Sequence, residues 1–185
     1  MAADQLTPFE HLLLGLVCLS PASGYDLKRT FAATPAGVYQ PSSGALYPAL
    51  RRLEGRSLIQ AKPPDSATRP ARRRRVYEPT EAGQTAHLAW LRTPVEPATV
   101  ARDLGLHLMR FVMMEYAFPP AEVLGFLASL KDALAASLVQ LERYVAAPAQ
   151  PLSRHPRLAL DHGLAIHRAS LRWTKDTMAA LRSPR

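Results

Sequence analysis

The chain has 185 residues, 48% of them hydrophobic and 21% charged, which excludes a disordered polymer and allows one large domain or two small ones. The single cysteine, Cys18, excludes an internal disulfide framework and a Cys-rich zinc site. Twenty-three Lys and Arg against 15 Asp and Glu leave a net charge of +8, which raises the question of an anionic partner.

The longest apolar run, Leu12 to Leu19, is interrupted by Gly15 and is too short to span a bilayer. No Lys or Arg precedes it and both Asp4 and Glu10 are acidic, so it does not read as a secretory signal. The expectation is a soluble, cytoplasmic protein with no membrane partner.

In chain order, Thr7-Pro8-Phe9-Glu10 opens a first helix with a capping box and runs to about Leu19. Ser20 to Gly24 reads as a turn, and a second helix covers Tyr25 to Ala33 with Tyr25, Leu27 and Phe31 as core contacts. After Thr34-Pro35-Ala36-Gly37, Ser42 and Ser43 cap a third helix that reaches Gly55. Leu46, Leu50 and Leu53 form its core stripe, whereas Gly44, Pro48, Arg51 and Arg52 lie opposite, with Tyr47 on the flank. Leu58 to Lys62 reads as a short strand, residues 63–72 as an exposed loop, and Arg73 to Pro79 as a return strand with Arg75 and Tyr77 on one face. Thr80 caps a fourth helix to about Arg92.

Thr93-Pro94-Val95-Glu96-Pro97 punctuates the chain, so residues 1–93 and 94–185 are expected to be separate domains. Beyond it the pattern is helical: one helix over Ala98 to Phe118, and another from Pro119-Pro120 through Val145. Pro148 to Pro156 reads as a loop. A last helix carries Leu160, Leu164, His167, Leu171, Thr174, Met178 and Leu181 in a heptad seam suited to another helix or a partner chain. The fold class expected is mainly α with a small β-wing: an N-terminal winged helix-turn-helix plus a C-terminal helical domain.

The charge is not spread evenly. Residues 51–75 hold nine basic residues against Glu54 and Asp65, a patch of +7 in 25 residues. It falls on the end of the third helix and the expected wing, which points to nucleic acid rather than to a generally basic surface.

Four segments resemble the PadR family of bacterial transcriptional regulators: Leu14-Gly15-Leu16 with Gly24-Tyr25-Asp26-Leu27; the string from Ser43 to Glu54; Leu58-Ile59; and Val76-Tyr77-Glu78-Pro79-Thr80-Glu81-Ala82-Gly83. The resemblance covers residues 9–92, and the second half is similar in length and helical character to the longer, virulence-activator-like subgroup. It implies a homodimer joined by C-terminal helices, here through Leu160, Leu164, His167, Leu171, Met178 and Leu181. It also implies a winged domain bound to double-stranded operator DNA, usually as a repressor.

The DNA-facing candidates are Lys28, Tyr39, Ser42, Ser43, Gly44, Tyr47, Arg51, Arg52, Arg72, Arg73, Arg74 and Arg75. Hydroxyls and backbone N–H groups at a helix start suit phosphate, and arginines can fork onto guanine or phosphate. Some family members lose DNA affinity on binding a small aromatic effector. His107, Phe111, Met113, Met114, Tyr116, Trp173 and Trp90 are the candidates for such a pocket, with core packing the more ordinary reading of each. No metal-ligand spacing, nucleophile elbow or phosphate-binding loop is present in the sequence, so no enzyme, metal or cofactor is expected. An activator, an effector-independent regulator and a protein-binding adaptor built on the winged fold are the rival readings.

Overall fold

The computed structural model describes residues 5–33, 43–62, 75–147 and 152–183. These fall in two compact units, Met1–Thr93 and Pro94–Arg185. The first contains α1 (Pro8–Leu19), β1 (Ala22–Ser23), α2 (Gly24–Ala33), α3 (Ser43–Gly55), β2 (Ile59–Ala61), β3 (Val76–Pro79) and α4 (Glu81–Arg92). The second contains α5 (Pro97–Arg102), α6 (Leu104–Met114), α7 (Pro120–Ala146) and α8 (Arg154–Arg182). Among the described residues no helix is long and apolar enough to cross a membrane.

The first unit is a winged helix built around α1, which packs on α3, α4 and β3. Leu12, Leu13, Leu14 and Val17 are all fully buried, which a helix achieves only when it is covered on more than one side. The capping box forms as expected: Thr7 Oγ1 accepts from the Glu10 backbone N–H, and the Glu10 carboxylate accepts from the Thr7 backbone N–H at 2.7 Å. On α3 the core stripe is Leu46, Leu50 and Leu53, joined by Ala49.

The sheet corrects the sequence reading. Among the described residues three strands, not two, lie in the order β1-β3-β2, all antiparallel, with Ala22 opposite Tyr77 and Ala61 opposite Tyr77 from the other side. β1 was expected to be part of a turn. It is two residues long, so it offers no alternation to read, and its Ser23 also caps α2 through Asp26.

The link from α3 into the sheet is tightly specified. Leu58 N–H reaches back to the Leu53 carbonyl and Ser57 N–H to that of Glu54, a Schellman arrangement that places Ser57 in the left-handed region at φ 56°. Thr80 Oγ1 donates to the Ser57 carbonyl at 2.6 Å and accepts from Gly83 N–H at 3.0 Å, joining this turn to the start of α4. Gly83 sits so close that a Cβ there would lie 1.9 Å from the Leu58 carbonyl oxygen.

In the second unit the helix expected over Ala98–Phe118 is two helices. Asp103 leaves helical geometry and caps α6, accepting from Leu106 N–H at 3.0 Å; a continuous apolar pattern conceals such a break. α8 also begins earlier than expected and takes in His155 and Pro156, because proline is tolerated in the first helical turn. α7 and α8 pack against each other. His167 Nδ1 lies 2.9 Å from the Gly163 carbonyl, which can only accept, so Nε2 accepts from the Ser137 hydroxyl on α7. Leu164, Thr174 and Met178 are buried within the chain. Of the heptad seam, suited to another helix or a partner chain, these three are covered inside one chain, while Leu160, His167 and Leu171 are half-buried and Leu181 is exposed.

Two histidines are buried as neutral imidazoles. Burial lowers His87 to about 4, and its Nδ1 has no hydrogen-bond partner among the described residues. Burial, and then the Arg110 charge, lower His107 to about 4. Thr99 donates its hydroxyl to the Glu96 carbonyl, so His107 Nε2–H donates to Thr99 and Nδ1 faces Arg110.

Gly83→Ala should destabilise the first unit by about 2 kcal/mol or more because the obstacle is backbone, whereas Ser57→Gly should stabilise it by about 1 kcal/mol. Calorimetry of both variants checks the signs, and an unchanged melting temperature for Gly83→Ala would contradict the close approach. For His87, the unfolded chain binds a proton below about pH 6.5 that the folded chain refuses until about 4, so stability falls on acidification. Between pH 7 and pH 5 the loss should be about 2 kcal/mol for this residue. Urea unfolding at the two pH values should show a smaller loss in His87→Leu, and an equal loss would refute the assignment.

Candidate nucleic-acid interface

The outer face of α3 carries the residues the sequence places there. Gly44, Tyr47, Arg51 and Arg52 are exposed, opposite the buried Leu46, Ala49, Leu50 and Leu53. Pro48 lies within the helix, at its sixth position. Ser43 is the first helical residue, and Lys28 is exposed on α2, which packs on α3. Tyr39, Ser42, Arg72, Arg73 and Arg74 lie outside the described residues.

α3 is coupled to its surroundings through its own charged groups. Arg52 Nε donates to Glu10 Oε1 at 2.6 Å, joining α3 to the start of α1 across 42 residues of sequence. Arg75, the one described residue of the expected wing run, is paired with Glu54 near the end of α3. Its guanidinium also lies over the Tyr77 ring, 5.4 Å from the centroid. The base of the wing is thus tied back to the helix it flanks.

Tyr25 departs from expectation. It is 51% exposed rather than core, and with Ser23, Gly24, Tyr47, Arg75 and Tyr77 it lines a small cavity of about 180 Å3. Helical periodicity held the signal, since Tyr25 lies about 200° around the helix from the buried Leu27. Gly24 lets the Tyr47 ring lie flush on α2: a Cβ there would be 2.7 Å from Tyr47 Cε1. Glu10 and Glu54 had no signal as members of this surface, because ion pairs between distant segments leave no periodic trace.

The aromatic, Met and His residues weighed for an effector pocket do not share one environment. His107, Met113 and Met114 are buried in the second unit, Phe111 packs edge-on to Trp173 with centroids 5.6 Å apart, and Tyr116 is exposed. Arg110, also buried, places its guanidinium over the Phe126 ring. Trp90 belongs to the first unit, stacked on His11 at 4.6 Å, where it lines an open groove of about 670 Å3 with Gln5, Leu6, Arg56 and Leu58. Burial pushes the Cys18 thiol up to about 11, so it stays protonated at neutral pH. Among the described residues no three His, Cys, Asp or Glu side chains are grouped to hold a metal.

Residues 13–88 match the Transcriptional regulator PadR-like family, a span that runs from α1 into α4 and includes the whole sheet. No curated protein matches the chain. Solved structures similar to it include the PadR-like transcriptional regulator BC1756 from Bacillus cereus, at 22% identity, covering 98% of this chain and 100% of that one, with a TM-score of 0.42. Bacillus subtilis PadR in complex with operator DNA is 20% identical over 96% of this chain and 99% of that one, with a TM-score of 0.45. The Vibrio cholerae virulence activator AphA is 21% identical over 94% and 97%, with a TM-score of 0.42. The match lies across the winged-helix unit, and it is the Transcriptional regulator PadR-like family that this unit is similar to.

Proposed function

We propose that this chain is a transcriptional regulator that binds a pseudo-palindromic DNA operator as a homodimer and represses from it. The observation that carries the reading is the outer face of α3. A flat start at Gly44 is followed by Tyr47, Arg51 and Arg52, within a stretch of sequence that holds nearly all of the chain's net charge. A helix of this design enters a major groove: small residues allow close approach, and arginines reach base edges or phosphates.

Support for a second copy comes from the apolar side chains that the second unit leaves exposed. On α8 these are Leu158, Ile166, Trp173 and Leu181; on and just beyond α6 they are Leu108, Val112 and Tyr116, spaced by fours. The proposed dimer contact therefore moves off the internal seam of Leu164, His167 and Met178 and onto these outer faces, keeping Leu181. A small aromatic effector is the further partner we propose. Among the described candidates, the stacked Trp90 ring lines an open groove.

Binding to a duplex enriched from a random library tests the DNA reading. Arg51→Ala should weaken binding about 10- to 100-fold and relax preference at one base step, whereas Arg75→Ala should weaken all duplexes alike and lower the salt slope by ~1. Unaltered base preference and slope would remove both residues from the interface. Sedimentation tests the dimer: Ile166→Asp should give monomers at concentrations where the parent chain is dimeric, and an unchanged mass would relocate the contact.

A further inference from the structure

We propose that Glu10 is a positioning residue for DNA recognition, its buried carboxylate holding Arg52 by Nε and so setting the direction in which that guanidinium meets the duplex. The inference rests on the DNA-binding reading above and extends it to a residue that lies outside the segment matched to the family.

The geometry divides the carboxylate between two tasks. Oε2 accepts from the Thr7 backbone N–H at 2.7 Å and from Thr7 Oγ1 at 2.9 Å, which completes the α1 cap. Oε1 accepts from Arg52 Nε at 2.6 Å. Glu10 is 3% exposed, whereas the Arg52 side chain is 57% exposed. One end of the pair is therefore anchored in the protein and the other faces solvent on the outer side of α3.

A cap alone does not need this arrangement, because a neutral amide oxygen can satisfy the Thr7 donors. A bond through Nε has a second consequence. The guanidinium is planar and rigid, so fixing its inner nitrogen fixes the plane and heading of the two terminal nitrogens, the fork that reads guanine or phosphate. Burial works to raise the Glu10 pKa, but the bonds from Thr7 and Arg52 outweigh it and hold the carboxyl below its ordinary value. The acid is therefore ionised at neutral pH. Its negative charge also offsets Arg52, which lowers attraction to any duplex. The expected signature is on discrimination: a held arginine gains at the right sequence and gives up affinity elsewhere.

The test measures the affinity ratio between a duplex enriched by the parent chain from a random library and a scrambled duplex of equal length. It is run on the full chain and on Glu10→Gln, Arg52→Ala and the double variant. Glu10→Gln keeps an acceptor for Thr7 and removes the charge. The ratio should fall about tenfold in Glu10→Gln, with affinity for the scrambled duplex equal or higher, and Glu10→Gln should change nothing further in the Arg52→Ala background. An unchanged ratio, even with lowered thermal stability, would reduce Glu10 to a helix cap and overturn the proposal. An equal rise on both duplexes would make it a charge neutraliser only and overturn it as well. Should Glu10→Gln fail to fold, Arg52→Lys decides. An ammonium drawn to Glu10 has no fork left to present, so its loss should match that of Arg52→Ala, and retained discrimination would refute the positioning role. If no duplex is enriched at all, the DNA reading itself fails and takes this inference with it. That outcome is distinct from enrichment with an unaltered ratio.

Discussion

The burial of α1 is the constraint on which the first unit depends. Leu12, Leu13, Leu14 and Val17 are covered on several sides, and each fully buried side chain of this kind contributes about 2 kcal/mol. Because α3, α4 and β3 all pack on this one helix, its axis sets theirs. The exposed face of α3 follows from the same packing: with Leu46, Ala49, Leu50 and Leu53 committed to the core, Tyr47, Arg51 and Arg52 have only the outer side left. The close approach of Gly83 to the Leu58 carbonyl then locks α4 onto the turn that ends α3.

Charge and packing are linked at two points on this surface. Arg52 and Arg75 are both held by carboxylates, Glu10 at the start of α1 and Glu54 near the end of α3. A surface made of untethered arginines attracts any polyanion, with strength set by salt. Tethering costs some of that attraction and reduces the orientational freedom that would otherwise be lost on binding. The two glutamates thus belong to the same physical design as the basic patch, although by charge count they subtract from it.

Much of the first unit was legible in the sequence because its signals are local. Thr7 with Glu10, and Thr80 before α4, are caps readable within four residues, and the Leu46-Leu50-Leu53 stripe is readable within one helix. What escaped depends on distant partners or on very short elements. β1 exists only through its pairing with β3, and the break at Asp103 interrupts an apolar pattern that continues on both sides. The heptad on α8 was read correctly as a seam, but periodicity shows that a face is buried and not what buries it. Ser137 and the rest of α7 answer that for Leu164, His167 and Met178. Tyr25 is the opposite case: its phase relative to Leu27 already placed it outside, and residue type alone had suggested otherwise.

In the proposed complex two copies of α3 read a two-fold symmetric site. A hydroxyl-radical footprint of the chain on its library-enriched duplex tests it most directly. Two protected segments related by a dyad are expected, centred about one or two helical turns (~10 or ~20 bp) apart. A single protected segment, or protection with no dyad symmetry, would contradict it.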